Sequence, residues 1–185
     1  MSINEELRRY WLRPGLLATI IFVADQLSKA EIWAALGPVA GTSTPVFDPW
    51  LKFTLVRNTG VAFGMFQGIP HIFTVTSIII SIAAAYYYRK HMPNSRFWVQ
   101  ACLGLIIGGA IGNIVDRIRF GFVIDFIHVR WFPGIFNIAD AAITCGVALL
   151  AVYLMFTGET EPQTGGDDRL LGELLTSEPP ERRAP

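Results

Sequence analysis

Residues 108–143 of this chain read GGAIGNIVDRIRFGFVIDFIHVRWFPGIFNIADAAI, and the rest of the sequence is organised around them. Carboxylates, amides and arginines lie here among residues that are apolar enough for a lipid bilayer. An ionisable group at membrane depth costs at least ~2.5 kcal/mol on insertion scales, and it usually faces a bundle interior or a water-filled cavity. The stretch therefore predicts a polar functional site within a membrane protein, and its candidate residues are Asn113, Asp116, Arg117, Asp125, Asn137 and Asp140.

The composition is typical of a protein that crosses a membrane several times. Hydrophobic residues make up 52% of the 185 residues and charged residues only 16%, and the mean hydropathy is +0.42. The charges cluster at the ends and in short loops, as expected between membrane spans. The length favours one domain, and a formal net charge of zero gives no indication of a nucleic-acid partner.

Four apolar segments are each long enough for a transmembrane helix, since about 20 helical residues cross ~30 Å of hydrocarbon. Arginines near the N-terminus and the basic loop 89–96 fall on one side, which the positive-inside rule makes cytoplasmic. Both termini are therefore expected in the cytoplasm, and residues 158–185, which are largely polar, are expected to form a disordered tail. The predicted helices span roughly residues 14–36, 69–88, 97–115 and 136–156.

Residues 37–68 differ in kind from the apolar segments. Glycines and prolines interrupt any helix there, whereas residues 51–56 (LKFTLV) alternate with the period of two that is typical of a strand. Residues 58–60 (NTG) supply turn chemistry, and residues 61–64 could return as a second strand. We expect a small β-sheet outside the membrane, held against the helices.

Two features of the third and fourth apolar segments concern packing. Gly104, Gly108 and Gly112 recur every four residues, which predicts a small-residue stripe for close contact with another helix. Cys102 and Cys145 lie in different segments at different depths. Because a disulfide needs Cα atoms within about 7 Å, we expect two buried thiols and no bridge.

Polar residues form one stripe on each of three predicted helices. Asp25 and Lys29 are four residues apart on the first helix with the acid first, which is the favoured order for an ion pair. Three stripes together with an outer sheet predict a pocket near the outer interface. The other two stripes consist of Gly109, Asn113, Asp116 and Arg117 on the third helix, and of Asn137, Asp140 and Thr144 on the fourth.

Asp125 and Asp140 are the candidate catalytic residues. Asp125 follows the third predicted helix and Asp140 lies near the start of the fourth, so both are expected at the outer end at similar depth. Two carboxylates at such a short distance share one proton, because the pKa of one is raised and the pKa of the other is lowered. Such a pair can hydrolyse a peptide without a covalent intermediate, with Asn113, Asn137 and Arg117 as orienting residues. The same residues could instead form a structural network that fixes helix packing.

Other chemistries fit the sequence less well. Ser28 and Lys29 are adjacent, so on a helix they do not face each other as a serine–lysine pair would. His71, His91 and His128 are too scattered for a metal site. A carrier or proton relay would need polar paths from both faces, and a scaffold subunit with a structural polar core is the third alternative.

Four motifs, in this order, resemble those of lipoprotein signal peptidase, the type II signal peptidase of bacteria. The resemblance covers roughly residues 14–157. Ala141 stands where many relatives carry serine, which alters none of the roles given below. The motifs are residues 25–29 (DQLSK), 58–64 (NTGVAFG), 108–126 (GGAIGNIVDRIRFGFVIDF) and 136–140 (FNIAD).

The resemblance implies an all-α integral membrane protein with four transmembrane helices and a small extracytoplasmic sheet, the β-cradle, in one peptidase domain over residues 1–157. It implies an aspartyl endopeptidase that removes the signal peptide from diacylglyceryl-modified prolipoproteins by cutting just before the lipidated cysteine. Asp125 and Asp140 take the places of the catalytic pair. Supporting roles fall to Asp25, Lys29, Asn58, Gly60, Asn113, Asp116, Arg117, Asn137 and Ala139.

The resemblance also implies the setting in which the protein works. No metal and no organic cofactor is implied, and the partners are the lipidated precursor and membrane lipid, with no nucleic acid. The expected location is the bacterial cytoplasmic (inner) membrane, with the active site near its outer face. A monomer is expected, and globomycin-type cyclic peptides would be inhibitors.

Overall fold

The described part of the chain folds into four long helices and one small sheet. The computed structural model describes Glu5 and residues 7–60, 70–92 and 95–157, with the backbone alone for residues 70–73 and 157. A π-helical turn, Leu7–Trp11, leads into the first helix. The helices are α1 (Leu12–Leu36), α2 (Pro70–His91), α3 (Phe97–Phe120) and α4 (Ile138–Thr157).

All four predicted helices are present, but the third was predicted too short. Its apolar run stops at Val115, where the sequence turns polar. The helix continues to Phe120 because Asp116 is buried against neighbouring elements. It ends at Gly121, which adopts a left-handed conformation (φ 77°) and donates its N–H to the Arg117 carbonyl at 3.0 Å. Glycine favours this conformation because it has no Cβ.

The sheet has four antiparallel strands in the order β1-β2-β3-β4. The prediction of a strand over residues 51–56 is confirmed by β2, and the predicted strand over residues 61–64 lies outside the described residues. The partners of β2 are instead β1 and β3. Strand β3 lies within residues 108–143, the stretch that predicts the polar functional site. The strands are β1 (Ser43–Phe47), β2 (Leu51–Asn58), β3 (Val123–Val129) and β4 (Ile135–Phe136).

Apolar side chains fix the sheet to the C-terminal end of α1. Ile32 of α1 packs with Leu55 of β2 and with Ile124 and Phe126 of β3 in one buried cluster. Asp125 lies between the last two residues, and successive strand residues point to opposite faces. The cluster therefore directs the Asp125 side chain to the other face of the sheet.

Within the described residues, two helices are long and apolar enough to cross a membrane: α3 and residues Ile138–Phe156 of α4. Helix α1 has sufficient length but carries Asp25, Lys29 and Glu31. Both Asp25 and Lys29 are buried in the protein, away from any lipid. The crossing of the membrane by α1 and α2 stays a prediction.

The glycine stripe of α3 makes the close helix contact that its spacing predicts, and the partner helix is α1. A Cβ atom added at Gly108 would lie 2.6 Å from the carbonyl oxygen of Ala18 and 2.8 Å from its Cα. A Cβ at Gly104 would lie 2.9 Å from the Cβ of Leu17. Real Cβ atoms do not approach backbone this closely, so the stripe allows the two helix backbones to come into direct contact.

We expect Gly108→Ala to destabilise the protein by about 1–3 kcal/mol, the usual cost of overpacking. The added methyl group meets backbone atoms of α1, which cannot move aside as a flexible side chain can. Thermal unfolding in detergent measures the loss. Gly15→Ala is the matched control, since nothing lies within 4 Å of a Cβ there. An equally stable Gly108→Ala protein would contradict the close contact of α1 and α3.

The prediction of two buried thiols is only half correct. Cys102 is buried, whereas Cys145 is exposed on the surface of α4. Apolar surroundings in the sequence do not distinguish burial in protein from a position facing lipid or a cavity. The two thiols are free, as predicted.

Candidate active site

The Asp125 carboxylate is held by two asparagine side chains. Asp125 lies on β3 opposite Val56 of β2, which brings the end of β2 close to it. Asn58, the last residue of β2, donates its Nδ2–H to Asp125 Oδ2 at 2.9 Å. Asn137 donates its Nδ2–H to Asp125 Oδ1 at 2.7 Å. Both oxygens are thus fixed, and only 2% of the residue is exposed.

The Asp140 carboxylate is held at the start of α4. Asn137 precedes this helix, and its Oδ1 accepts the Asp140 N–H at 2.9 Å. In return, the Asn137 N–H donates to Asp140 Oδ2 at 3.3 Å, which is the reciprocal pattern of a capping box. Asn113 of α3 donates its Nδ2–H to the other oxygen, Oδ1, at 2.8 Å. The first turn of the helix, with its positive dipole end, therefore orients Asp140.

Asn137 joins the two carboxylates. Its side chain binds Asp125 through Nδ2 and the backbone of Asp140 through Oδ1. The same Nδ2 also lies 3.2 Å from Asn113 Oδ1, and Asn113 binds Asp140 directly. Two amides thus bring the carboxylates from a strand and a helix to one place, as the sequence predicts.

Lys29 lies between two further carboxylates behind the pair. Its Nζ is 2.7 Å from Asp25 Oδ2 on the same helix and 2.9 Å from Asp116 Oδ2 on α3. It also donates to Asn113 Oδ1 at 3.2 Å. The pairing with Asp25 was expected from the spacing; the second pairing, with Asp116, depends on how α1 packs against α3.

The carboxylates of Asp25 and Asp116 also accept hydrogen bonds from the backbone next to the candidate pair. Asp25 Oδ1 accepts the Ala139 N–H at 2.9 Å, one residue before Asp140. Asp116 Oδ2 accepts the Ile124 N–H at 3.1 Å, one residue before Asp125. The Lys29 cluster is therefore tied to both members of the pair through their neighbouring peptide groups.

Gln26 also contacts Asp25 and Asp116, although it is not among the residues predicted for the site. Its Nε2 donates to Asp116 Oδ1 at 2.9 Å and lies 3.2 Å from Asp25 Oδ2. Its Oε1 accepts from Arg119 at 3.4 Å. The one available signal was its place three residues before Lys29, which puts both on neighbouring positions of the helix surface.

Arg117 and Gly60 complete the predicted set. Arg117 donates through Nη2 to the Gly60 carbonyl at 3.3 Å. The Gly60 N–H donates to Asn58 Oδ1 at 2.9 Å, which closes the turn predicted for residues 58–60. All eleven candidate site residues thus lie in one connected set of hydrogen bonds and ion pairs, with Ala139 included through its N–H.

Ser28 and Lys29 do not form a serine–lysine pair. The Ser28 hydroxyl donates to the Asp25 carbonyl of its own helix at 2.8 Å, and Lys29 is engaged with carboxylates. His128 lies on β3 with its Nδ1 3.2 Å from the Thr54 hydroxyl. Within the described ranges, no three or more His, Cys, Asp or Glu side chains are grouped so that they could hold a metal ion.

Burial changes the acidity of Asp125. Removal from water, and then the negative charge of Asp140, raise the pKa of Asp125 to about 7, against the hydrogen bonds from Asn58 and Asn137, which lower it. Burial disfavours the charged form of a carboxyl group, whereas donated hydrogen bonds favour it. A carboxyl with this pKa can hold or release a proton near neutral pH.

The two carboxylates lie at a cavity of about 690 Å³. Asn58, Asn113, Arg117, Asp125 and Asp140 supply its charged and amide groups. Aliphatic and aromatic side chains make up most of the remaining wall, among them Ile80, Ile106, Ala110, Val129, Trp131, Phe136 and Ile143. This combination suits a ligand with a long apolar part and a polar group to be placed against the carboxylates.

The sequence and the fold both resemble known proteins. The family model for signal peptidase (SPase) II matches residues 17–156. Lipoprotein signal peptidase from Caldanaerobacter subterraneus subsp. tengcongensis is 37% identical over 143 residues, which are 77% of this chain and 95% of that protein. The enzyme of the same name from Moorella thermoacetica is 38% identical over 140 residues, 76% of this chain and 91% of that protein.

Two solved structures share the fold. Both are described as bacterial membrane enzymes whose structures were obtained by the in meso method. One is 31% identical, with a TM-score of 0.73 over 85% of this chain and 96% of that one. The other is 33% identical, with a TM-score of 0.69 over 80% of this chain and 97% of that one.

Proposed function

This chain belongs to the signal peptidase II family, and from that premise we propose that it is an aspartic endopeptidase with Asp125 and Asp140 as its catalytic pair. Family membership makes it a peptidase of a bacterial membrane that removes signal peptides from prolipoproteins. The finer proposal is that it cuts diacylglyceryl-modified precursors just before the lipidated cysteine. The observation that supports the aspartic mechanism is the convergence of the two carboxylates through Asn113 and Asn137.

The proposed reaction needs one proton on the pair. The ionised carboxyl takes a proton from water as the water oxygen bonds to the peptide carbon, and the protonated carboxyl gives its proton to the carbonyl oxygen. When the C–N bond breaks, one carboxyl protonates the leaving nitrogen and the other takes a proton from the tetrahedral carbon's hydroxyl. The pair ends with one proton, as it began, and no covalent intermediate forms.

The remaining roles follow from the contacts of each residue. Asn58, Asn113 and Asn137 orient the carboxylates. Asp25 and Asp116 hold the backbone beside them, and Lys29 is paired with both of these acids. Arg117 and Gly60 fix the turn after β2 at the edge of the cavity. None of these steps requires a metal or an organic cofactor.

The proposed setting is the outer face of the bacterial inner membrane. Residues 1–157 form one domain with four transmembrane helices, and both termini lie in the cytoplasm. The active form is the monomer. The apolar wall of the cavity receives the lipid-modified part of the substrate from the outer leaflet. Globomycin-type cyclic peptides would compete for the same cavity.

The direct test is cleavage by the purified protein in detergent. A diacylglyceryl-modified precursor is incubated with the protein, and mass spectrometry identifies both products. We expect a free signal peptide and a mature chain that begins at the lipidated cysteine. The unlipidated precursor is the control, which we expect to remain largely uncut. Cleavage elsewhere, or equal cleavage of both precursors, would contradict the proposed specificity.

The pH dependence of cleavage tests the role of Asp125. The pair loses its shared proton as the pH rises past about 7, so activity should fall on the alkaline side; it should also fall in acid, when both carboxyls are protonated. Asn58 donates a hydrogen bond that lowers the pKa of Asp125. Asn58→Ala should therefore raise this pKa further and move the alkaline limb to higher pH.

The control for that shift is Thr42→Ala. The Thr42 hydroxyl donates to the Val39 carbonyl in the same outer segment, away from the carboxylates. It should leave the alkaline limb where it is. An alkaline limb that stays in place in Asn58→Ala, or moves to lower pH, would show that Asp125 does not control it.

A further inference from the structure

Three hydroxyl groups lie on the largely apolar wall of the cavity. Ser77 and Ser81 come from α2, and Thr144 comes from α4. Their neighbours in the wall include Ile80, Ile106, Ala110 and Ile143. Ser77 is partly exposed and Thr144 is exposed, so a molecule in the cavity can reach both residues, and the existing hydrogen bonds of the hydroxyls decide which of them can donate to it.

Ser81 is satisfied by its own helix, whereas the other two hydroxyls are not. The Ser81 hydroxyl donates to the Ser77 carbonyl at 2.7 Å, and Thr19 does the same to the Gly15 carbonyl at 2.9 Å. This bond to the preceding turn is the usual one for Ser and Thr within helices. Ser77 and Thr144 form no side-chain hydrogen bond with any residue that the structure describes.

Thr144 lies close to the catalytic pair. It follows Asp140 by four residues on α4, which puts it on the same helix face roughly 6 Å further along the axis. Asp140, Thr144 and Ser77 all line the one cavity. A molecule whose reacting bond lies at Asp140 and which continues along the cavity would therefore pass both hydroxyls.

We infer that Ser77 and Thr144 form a carbonyl-binding subsite next to the catalytic pair, in which their hydroxyls donate hydrogen bonds to the substrate. The inference rests on the proposed function. A peptide bond can reach the carboxylates only in an extended segment, and the carbonyls of such a segment lack the partners that a helix would supply. The ester carbonyls of a diacylglyceryl group are acceptors of the same kind. Either source would accept hydrogen bonds from two hydroxyls that have no side-chain hydrogen bond among the described residues.

The subsite predicts a change in KM. In Ser77→Ala and Thr144→Val, we expect the KM for the lipidated precursor to rise about threefold to tenfold, the effect of one lost hydrogen bond. The kcat should stay close to that of the unaltered protein, because the bond is present before and during the reaction. Thr144→Ser keeps the hydroxyl and should restore most of the affinity. An unchanged KM in both Ser77→Ala and Thr144→Val would overturn the subsite.

Ser81→Ala is the matched control for these variants. It removes a hydroxyl from the same wall, but one that already donates to its own helix. Its KM should stay near that of the unaltered protein, and a rise equal to that of Ser77→Ala would overturn the subsite. Failure of the proposed function is distinguishable, since then even the unaltered protein would not cleave the precursor.

A binding measurement that does not depend on turnover uses Cys145. This thiol is exposed and lines the cavity, whereas Cys102 is buried. A lipidated precursor with a reduced, uncleavable peptide bond should slow the alkylation of Cys145 by a maleimide. In Thr144→Val and in Ser77→Ala, the same protection of Cys145 should need about threefold to tenfold more of this precursor. Equal protection in these variants and in Ser81→Ala would contradict the inference.

The two sources of the carbonyl are separated with a precursor whose acyl esters are replaced by alkyl ethers. This substrate keeps the chain length but has no ester carbonyls. A KM increase in Ser77→Ala and Thr144→Val that persists with the ether-linked precursor assigns the subsite to the peptide backbone. An increase seen only with the ester-linked precursor assigns it to the diacylglyceryl group.

Discussion

Asp125→Asn and Asp140→Asn are each expected to lower the single-turnover rate of precursor cleavage by at least ~10²–10⁴-fold, the contribution of general acid–base catalysis. An asparagine can neither accept a proton from the attacking water nor share one with its partner. Both oxygens of each carboxylate accept N–H groups. In each variant, the NH₂ group of the new asparagine therefore faces one of these N–H donors, which costs about 1–3 kcal/mol of stability.

That stability cost has to be separated from the loss of catalysis. Thermal unfolding in detergent gives the folded fraction of each variant, and rates are compared per folded molecule. Asp48→Asn is the matched control, since Asp48 is exposed in the turn between β1 and β2, away from the pair. We expect it to cleave at the normal rate. Near-normal turnover in Asp125→Asn or in Asp140→Asn would contradict the paired mechanism.

Lys29→Ala is expected to destabilise the protein by about 3–5 kcal/mol, the usual cost of breaking a buried ion pair. Lys29 is only 2% exposed, and its removal leaves Asp25 and Asp116 close together without a counter-charge. Thermal unfolding in detergent measures the effect. Lys90→Ala is the control, since Lys90 is exposed at the end of α2, and it should unfold as the unaltered protein does.

A compensating variant tests the physical reason for this loss. If the unpaired charges cause it, replacing Asp25 by Asn in the Lys29→Ala background should recover part of the stability, because one buried charge is removed. The folded fraction of Lys29→Ala should keep measurable cleavage, since the lysine contacts Asn113 and does not contact the pair directly. A Lys29→Ala protein that is fully stable but inactive would instead give Lys29 a catalytic role.

The candidate site was more predictable from the sequence than the sheet that carries Asp125. Polar residues within apolar segments are costly unless they meet one another, so Asp25, Asn113 and Asp140 could be assigned to a common interior from their spacing alone. The contact of Lys29 with Asp116 could not be predicted from spacing, because it depends on how α1 is rotated against α3 at the glycine contacts.

The strand that carries Asp125 had no periodic signal of its own. Residues 123–129 read VIDFIHV, in which apolar residues lie on both faces, and a short run of this kind does not distinguish a strand from a helix. Its partner β2 lies 65 or more residues away in the chain, for example Asn58 opposite Val123. The sheet therefore depends on a long-range pairing that local sequence does not encode.

The central claim is that Asp125 and Asp140 act as one catalytic unit. The measurement that tests it most directly is the single-turnover rate of lipidated-precursor cleavage by the unaltered protein, by Asp125→Asn, by Asp140→Asn and by the double variant. Residues that act as a unit do not show additive losses, so the double variant should be about as inactive as either single one. Losses that multiply in the double variant, or one single variant that cleaves at nearly the normal rate, would contradict the claim.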